Sequence, residues 1–298
     1  MAESKPFLAN TVLVLGAGAS KPYGFPLGEQ LKNHIIDNTT PAALDALNEL
    51  RYDLTTIREF KDALRWGDHA TIDIFLERKT NFREIGSYFI AAAIGEFEKG
   101  SSPFPARDWY LDLFRLLDLE TLQGNLPNLS IVTLNYDRSL EHFLKMYINY
   151  RCQAEIVRRC HERRSRLSII HAHGSIGPYP ETQYGDATSD KESLRRAATR
   201  IRIVSDKLEE SPDFRAAQDA IAEAKHIIFL GFGYNDQTLR ALLSKRDLSK
   251  TRFYGTAMQL NNDSRRDITE FFHGNINLGG ADQDCLKFFR ETVLNTKL

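Results

Sequence analysis

Short apolar, largely β-branched runs recur along the chain, each closed by glycine or a polar turn and followed by segments of helical period. TVLVL (11–15), LSIVT (129–133), LSIIH (167–171), HIIFL (226–230) and RFYGTAM (252–258) predict strands apolar on both faces, as a sheet covered on both sides requires. Amphipathic spacing predicts helices at 138–148, 236–243 and 282–294, and another from about Leu27. Strand-then-helix alternation points to an α/β fold built on a doubly wound parallel sheet.

About residues 40–125 break that rhythm. No strand is evident there, and the spacing predicts helices at 42–50, 56–64, 70–79, 82–98 and 106–119. One crossover needs one helix, so this is a helical insertion within a single domain spanning 1–298. Charge adds one local asymmetry: Arg151–Arg202 is rich in Lys and Arg, whereas the whole chain carries a net charge of -1. That balance excludes a wholly basic nucleic-acid binder, so any nucleic-acid contact would be indirect. The basic stretch reads as a solvated face or as a docking surface, with Arg163, Arg164 and Arg166 at its centre. No apolar run reaches the roughly 20 residues of a membrane span, and MAESKPFLAN lacks an apolar leader core. A cytoplasmic protein without membrane attachment is expected. Cys152, Cys160 and Cys285 form no C-x-x-C pair, which disfavours a disulfide framework or structural zinc, and no metal is expected.

Candidate chemistry sits where strands end. The first strand runs into Gly16-Ala17-Gly18-Ala19-Ser20, a turn that either admits a phosphate to its backbone N–H groups or is simply a tight strand–loop connection. Lys21 stands where G-x-G-x-x-G would place its third glycine, and no acidic residue ends a second strand (Glu29 and Asp37 fall on helix). Both features argue against an ordinary dinucleotide-dependent dehydrogenase. Asn135, Tyr136 and Asp137 follow the second strand; Asp137 is either a ligand-facing group or a helix cap. His171 and His173 end the third strand, where an extended i, i+2 pair shares one face and could meet a metal. A histidine opening onto the crevice could equally serve as a general base, or be structural. Gly231-Phe232-Gly233 and Asn235-Asp236 repeat the strand–glycine–helix layout, with Asp236 a candidate cap.

Taken in order, GAGAS with G-F-P (Phe25 in its centre), T-L-N-Y-D, H-G-S and strand-G-F-G resemble the signatures of the sirtuin family. The likeness extends from Thr11 to about Leu294, and Gln259-Leu260-Asn261 and G-G-A-D-Q (279–283) are similar to its late adenosine-contacting turns. Two departures matter. Pro26 is followed by Leu27-Gly28-Glu29-Gln30 rather than D-F-R-S, and no four-cysteine ribbon follows the histidine. The pattern therefore resembles the bacterial sirtuin-like NAD-hydrolysing domains of antiphage defence systems, among them the Thoeris effector and HerA-associated proteins.

That resemblance implies a Rossmann-like doubly wound sheet with an inserted helical layer and no zinc ribbon. It implies NAD as substrate, with hydrolysis to nicotinamide and ADP-ribose and abortive infection as the outcome. Asn135 and His173 would be catalytic, orienting water and acting as base; His171 would be supporting or structural. Gly16, Ala17, Gly18 and Ser20 would hold the pyrophosphate, Asp137 would support the nicotinamide pocket, Phe25 would contact the cofactor, and Gly231, Gly233 and Asn261 would face the adenosine. Alternatives within the same likeness are a protein deacylase or ADP-ribosyltransferase, and a non-catalytic NAD or ADP-ribose sensor. An unrestrained NAD hydrolase would kill its host, and no sensor domain is expected beyond residue 298. Control is thus expected from a homo-oligomer or a partner, a HerA-type ATPase or an Argonaute-like protein.

Overall fold

The computed structural model describes residues 10–38, 40–100, 108–122, 129–151, 168–203, 211–245 and 251–295, the side chains of 118–122 and 151 excepted. Six parallel strands form one sheet: β1 (Thr11–Leu15), β2 (Leu129–Thr133), β3 (Ser168–His171), β4 (His226–Leu230), β5 (Arg252–Gly255) and β6 (Ile276–Leu278). Their spatial order is β3-β2-β1-β4-β5-β6, so the chain reverses its direction of travel across the sheet between β1 and β4. In an open parallel sheet that reversal parts the loops beyond the strands' carboxyl ends and creates a crevice.

Every residue of β1 is buried, because strands pair with it on both sides and helices cover both faces. Alternation splits its side chains. Leu13 and Leu15 join one apolar core, and Val12 and Val14 the other. The Leu13 face receives α2 (Gly28–Asp37) and the helical layer α3 (Pro41–Glu49), α4 (Leu54–Trp66), α5 (Ile72–Arg78), α6 (Arg83–Gly100) and α7 (Trp109–Leu122). Within that layer Phe60 stacks on Phe89 with ring centroids 5.6 Å apart and meets Phe75 edge-on at 5.9 Å, so the insertion carries its own aromatic core. The Val12 face is covered by residues of α10 (Pro212–Glu223) and α11 (Asp236–Leu243), including Phe214, Ala217 and Leu239. Burial of each such side chain contributes on the order of 1.5–3 kcal/mol.

The expected α/β architecture and inserted helices are present, with corrections. The last expected strand stops at Gly255, where Thr256 turns its hydroxyl back to the Gly231 N–H (2.8 Å). Edge strand β6, α9 (Lys191–Arg200), α10 and α12 (Asn262–Phe271) were not anticipated. The expected terminal helix is a short α13 (Cys285–Phe288) continuing into a π-type turn over Phe289–Val293. Ala17–Ser20 is itself one helical turn, α1, rather than open loop. The start of the third strand at Leu167, together with Cys152, Cys160, Arg163, Arg164 and Arg166, lies outside the described residues. No helix among the described residues is long and apolar enough to cross a membrane.

Candidate functional site

The two glycine turns at the sheet reversal touch each other. Gly16 N–H donates to the Leu230 carbonyl and Gly18 N–H to that of Gly231, both at 3.0 Å. A Cβ on Gly16 would lie 2.5 Å from the Gly231 oxygen, and one on Gly18 would lie 2.7 Å from the Gly231 Cα. Gly231 has φ 58°, and a Cβ there would lie 2.1 Å from the Ala19 nitrogen. These three glycines are therefore demanded by backbone-to-backbone packing, whatever they admit besides. Gly233 differs: it is exposed, and nothing lies within 4 Å of an added Cβ. From beneath, the Trp109 indole N–H donates to the Ala19 carbonyl (2.9 Å), and buried Tyr23 donates to Asp108 (2.8 Å) while stacking on Tyr110 at 3.8 Å. Phe25 is buried, its N–H held by the Ser20 carbonyl (3.4 Å).

Beyond β2 the structure concentrates side chains instead. Asn135 Nδ2 donates to the Gly16 carbonyl (3.0 Å) and to Ser20 Oγ (2.9 Å), tying this segment to the glycine turn. Asp137 is buried and accepts from the Ser139 N–H (3.1 Å), from the Ser139 hydroxyl through a short bond, and from Ser20. Tyr110 completes the chain by bonding Ser139 Oγ at 2.9 Å. Burial raises Asp137 to about 6 despite the hydroxyls and N–H that favour its charge. Asp137 thus lies two residues ahead of α8 (Ser139–Arg151), joining that helix start to the glycine turn. At the corresponding start of α11 the cap is Asn235, which accepts from Thr238 N–H (2.9 Å); Asp236 instead pairs with Arg240 on the surface. Asn261 likewise caps α12, accepting from Ser264 N–H at 2.8 Å, and its exposed side chain is committed to that bond.

The two histidines part company. β3 ends at His171, and Ala172 and His173 form a turn closed by Gly174 N–H donating to the His171 carbonyl (2.9 Å), with Gly174 at φ 75°. The strand geometry that would align both rings on one metal is therefore lost. Burial lowers the pKa of His171, but Glu141 at 2.6 Å and the Asn135 carbonyl at 3.0 Å outweigh it and raise the ring to about 9. His171 is cationic at neutral pH and donates from both nitrogens, clamping Asn135 to α8. His173 is its opposite. Burial lowers its pKa, Asp73 opposes only in part, and its buried Nε2 has no hydrogen-bond partner among the described residues. A neutral imidazole with a free nitrogen at the carboxyl edge of the sheet is equipped to accept a proton.

Arg138, Glu98 and Asp73 were not identified from the sequence. Arg138 and Glu98 form a fully buried ion pair at 2.6 Å, and Arg138 also donates to the Thr182 carbonyl (2.7 Å) and the Gln183 carbonyl (3.2 Å). Tyr136 donates to Asp73 at 2.6 Å. Both contacts bring the helical insertion onto the loop after β2. A signal did exist for Arg138, a charge adjoining N-Y-D at the start of an amphipathic helix, but its partner lies 40 residues away. Among the described residues no group of three or more His, Cys, Asp or Glu is arranged to hold a metal ion.

Residues 129–259 match the family model of the SIR2-like domain. The match starts at β2 and ends just past β5, taking in Asn135, Asp137, His171, His173 and both glycines of the second turn, while Gly16–Ser20 and the helical layer lie outside it. No curated protein matches the chain.

Proposed function

We propose, for a chain that carries a SIR2-like domain and hence belongs with NAD-related chemistry, that the reaction is hydrolysis of NAD+ to nicotinamide and ADP-ribose. The observation that carries the reading is His173: buried, held neutral, and with an Nε2 lacking a partner among the described residues. A general base needs such a nitrogen, and a placed base contributes on the order of 10²–10⁴-fold.

The step balances simply. A water oxygen forms the bond to the ribose C1′ and passes a proton to His173 Nε2, while the C1′–N bond breaks with its electron pair leaving on nicotinamide. Asn135 commits its amide nitrogen to Gly16 and Ser20, so its Oδ1 remains as the acceptor that orients water or a ribose hydroxyl. The same bonds couple the base's neighbourhood to the turn expected to receive the pyrophosphate. Phe25 and Asp137 would bound the nicotinamide end, and exposed Gly233 would leave the adenosine end open. In the cell we propose that this activity depletes NAD in antiphage defence, restrained by self-assembly or by a HerA-type ATPase partner.

The test is chromatography of NAD+ incubated with the protein and with Asn135→Ala and His173→Ala. Release of nicotinamide and ADP-ribose by the parent protein, abolished in both variants, is the expected result. Acyl-group removal from a lysine peptide with NAD consumption would select the deacylase. NAD bound but uncleaved, with and without an added partner ATPase, would select the sensor.

A further inference from the structure

The helical layer reaches the candidate base. Thr71 caps α5, its hydroxyl accepting from Ile74 N–H (3.3 Å), and the first turn of that helix presents Asp73, partly exposed. Asp73 accepts from the Tyr136 hydroxyl at 2.6 Å, and the Tyr136 ring lies 6.5 Å from that of His173. On the other side, Arg202 N–H donates to the His173 carbonyl at 2.8 Å, and the Arg202 carbonyl lies 3.5 Å from the Tyr136 hydroxyl. Among the described residues these contacts gather Asp73, Tyr136 and the Arg202 backbone about His173, with Glu77 one turn further along α5.

We propose that Asp73, delivered by the inserted helix α5 and anchored by the Tyr136 hydroxyl, is a positioning residue that holds the imidazolium formed when His173 accepts a proton. The inference rests on the reading of His173 as base. A cation generated in a buried site is costly unless an anion stands ready. A nearby carboxylate can supply that anion without taking the proton itself. Asp73 acts on His173 in this sense, favouring the charged ring against burial. Glu77 does not duplicate it: burial and the neighbouring Asp73 raise Glu77 to about 7.

The experiment is an NMR titration of the histidine ring signals in the full chain, with the His173 signal assigned by its loss in His173→Gln. Asp73→Asn should move the His173 midpoint further down, and Asp73→Glu should restore it in part. Tyr136→Phe, which frees the carboxylate without removing its charge, should give a smaller shift. In kinetics on NAD+, Asp73→Asn should lower kcat by at least roughly tenfold, leave KM within about twofold, and carry the acidic limb to lower pH. An unchanged His173 midpoint in folded Asp73→Asn overturns the proposal. Should Asp73→Asn not fold, Tyr136→Phe takes its place, and an unchanged His173 midpoint there does so. Failure of the parent protein to cleave NAD+ would count against the hydrolase alone, because the titration reads the Asp73–His173 coupling without turnover.

Discussion

The two halves of the crevice are built by opposite means. At β1 and β4 the chain removes side chains, and glycine backbones of two turns lie against each other. At β2 and β3 it adds them, holding Asn135, Asp137 and His171 in a hydrogen-bonded network beside His173, whose Nε2 has no partner among the described residues. The first half is rigid because nothing larger fits. The second is rigid because its donors are paired, and the exception is the group with a reason to be free. Substitution should therefore cost stability in one half and catalysis in the other.

The largest effect should come from His173→Ala, a loss of about 10²–10⁴-fold in kcat with the melting temperature little changed; parent-like turnover would remove His173 from the chemistry. Gly231→Ala should act through folding instead. A Cβ at φ 58° and 2.1 Å from the Ala19 nitrogen combines strain with overpacking, roughly 3–5 kcal/mol. A melting curve matching the parent's would show that the turns separate more readily than their packing suggests.

Glu141→Gln sharpens the contrast between the histidines, because its effect should follow pH. The His171 pKa is raised from 6.5 to about 9, so the stabilisation from its proton is complete below 6.5 and is lost as pH rises through about 9. Glu141 is lowered below 4.5: burial raises it, but His171 prevails, so its share is present above 4.5 and is lost at lower pH. Melting temperatures from pH 6 to 9.5 should thus decline in the parent and be flatter in Glu141→Gln; parallel curves would mean the pair does not couple. In rate measurements the acidic limb should lie below 6.5, since His173 must be neutral, with Asp137 at about 6 contributing. A limb centred above 7 would point to another base. The smallest effect is expected at Gly233→Ala: stability within about 0.5 kcal/mol, and a few-fold weaker NAD+ affinity by calorimetry if the adenosine passes there.

Legibility in the sequence followed the same division. β1, β2 and β4 were readable because central parallel strands are apolar on both faces, and the glycines were readable because turns advertise them. The reason for those glycines was not: a close approach between Gly18 and Gly231 involves positions more than two hundred residues apart. β6 escaped because Ile276–Leu278 is a short edge strand with an exposed Asn277 between two half-buried neighbours. α9 escaped because KESLRRAATR buries only Leu194 and two alanines and reads as a polar loop. Asn135, His171 and His173 could be named from strand ends, but the different protonation of the two histidines depends on Glu141 beside His171 and on the burial of His173, and no local pattern marks either. The partner surface placed at Arg163, Arg164 and Arg166 lies outside the described residues.

The buried Arg138–Glu98 pair bears on how the inserted helices can be handled. Glu98 belongs to α6, and it receives the Arg138 guanidinium, the Arg138 N–H (3.2 Å) and the Gly185 N–H (3.1 Å). A shortened chain with α3–α7 replaced by a plain linker would strand a guanidinium in the interior, where loss of one partner costs about 3–5 kcal/mol. Grafting must therefore move both charges together, or replace both with apolar groups of similar volume. The helical layer is a structural part of the sheet it covers and cannot be exchanged as a cassette.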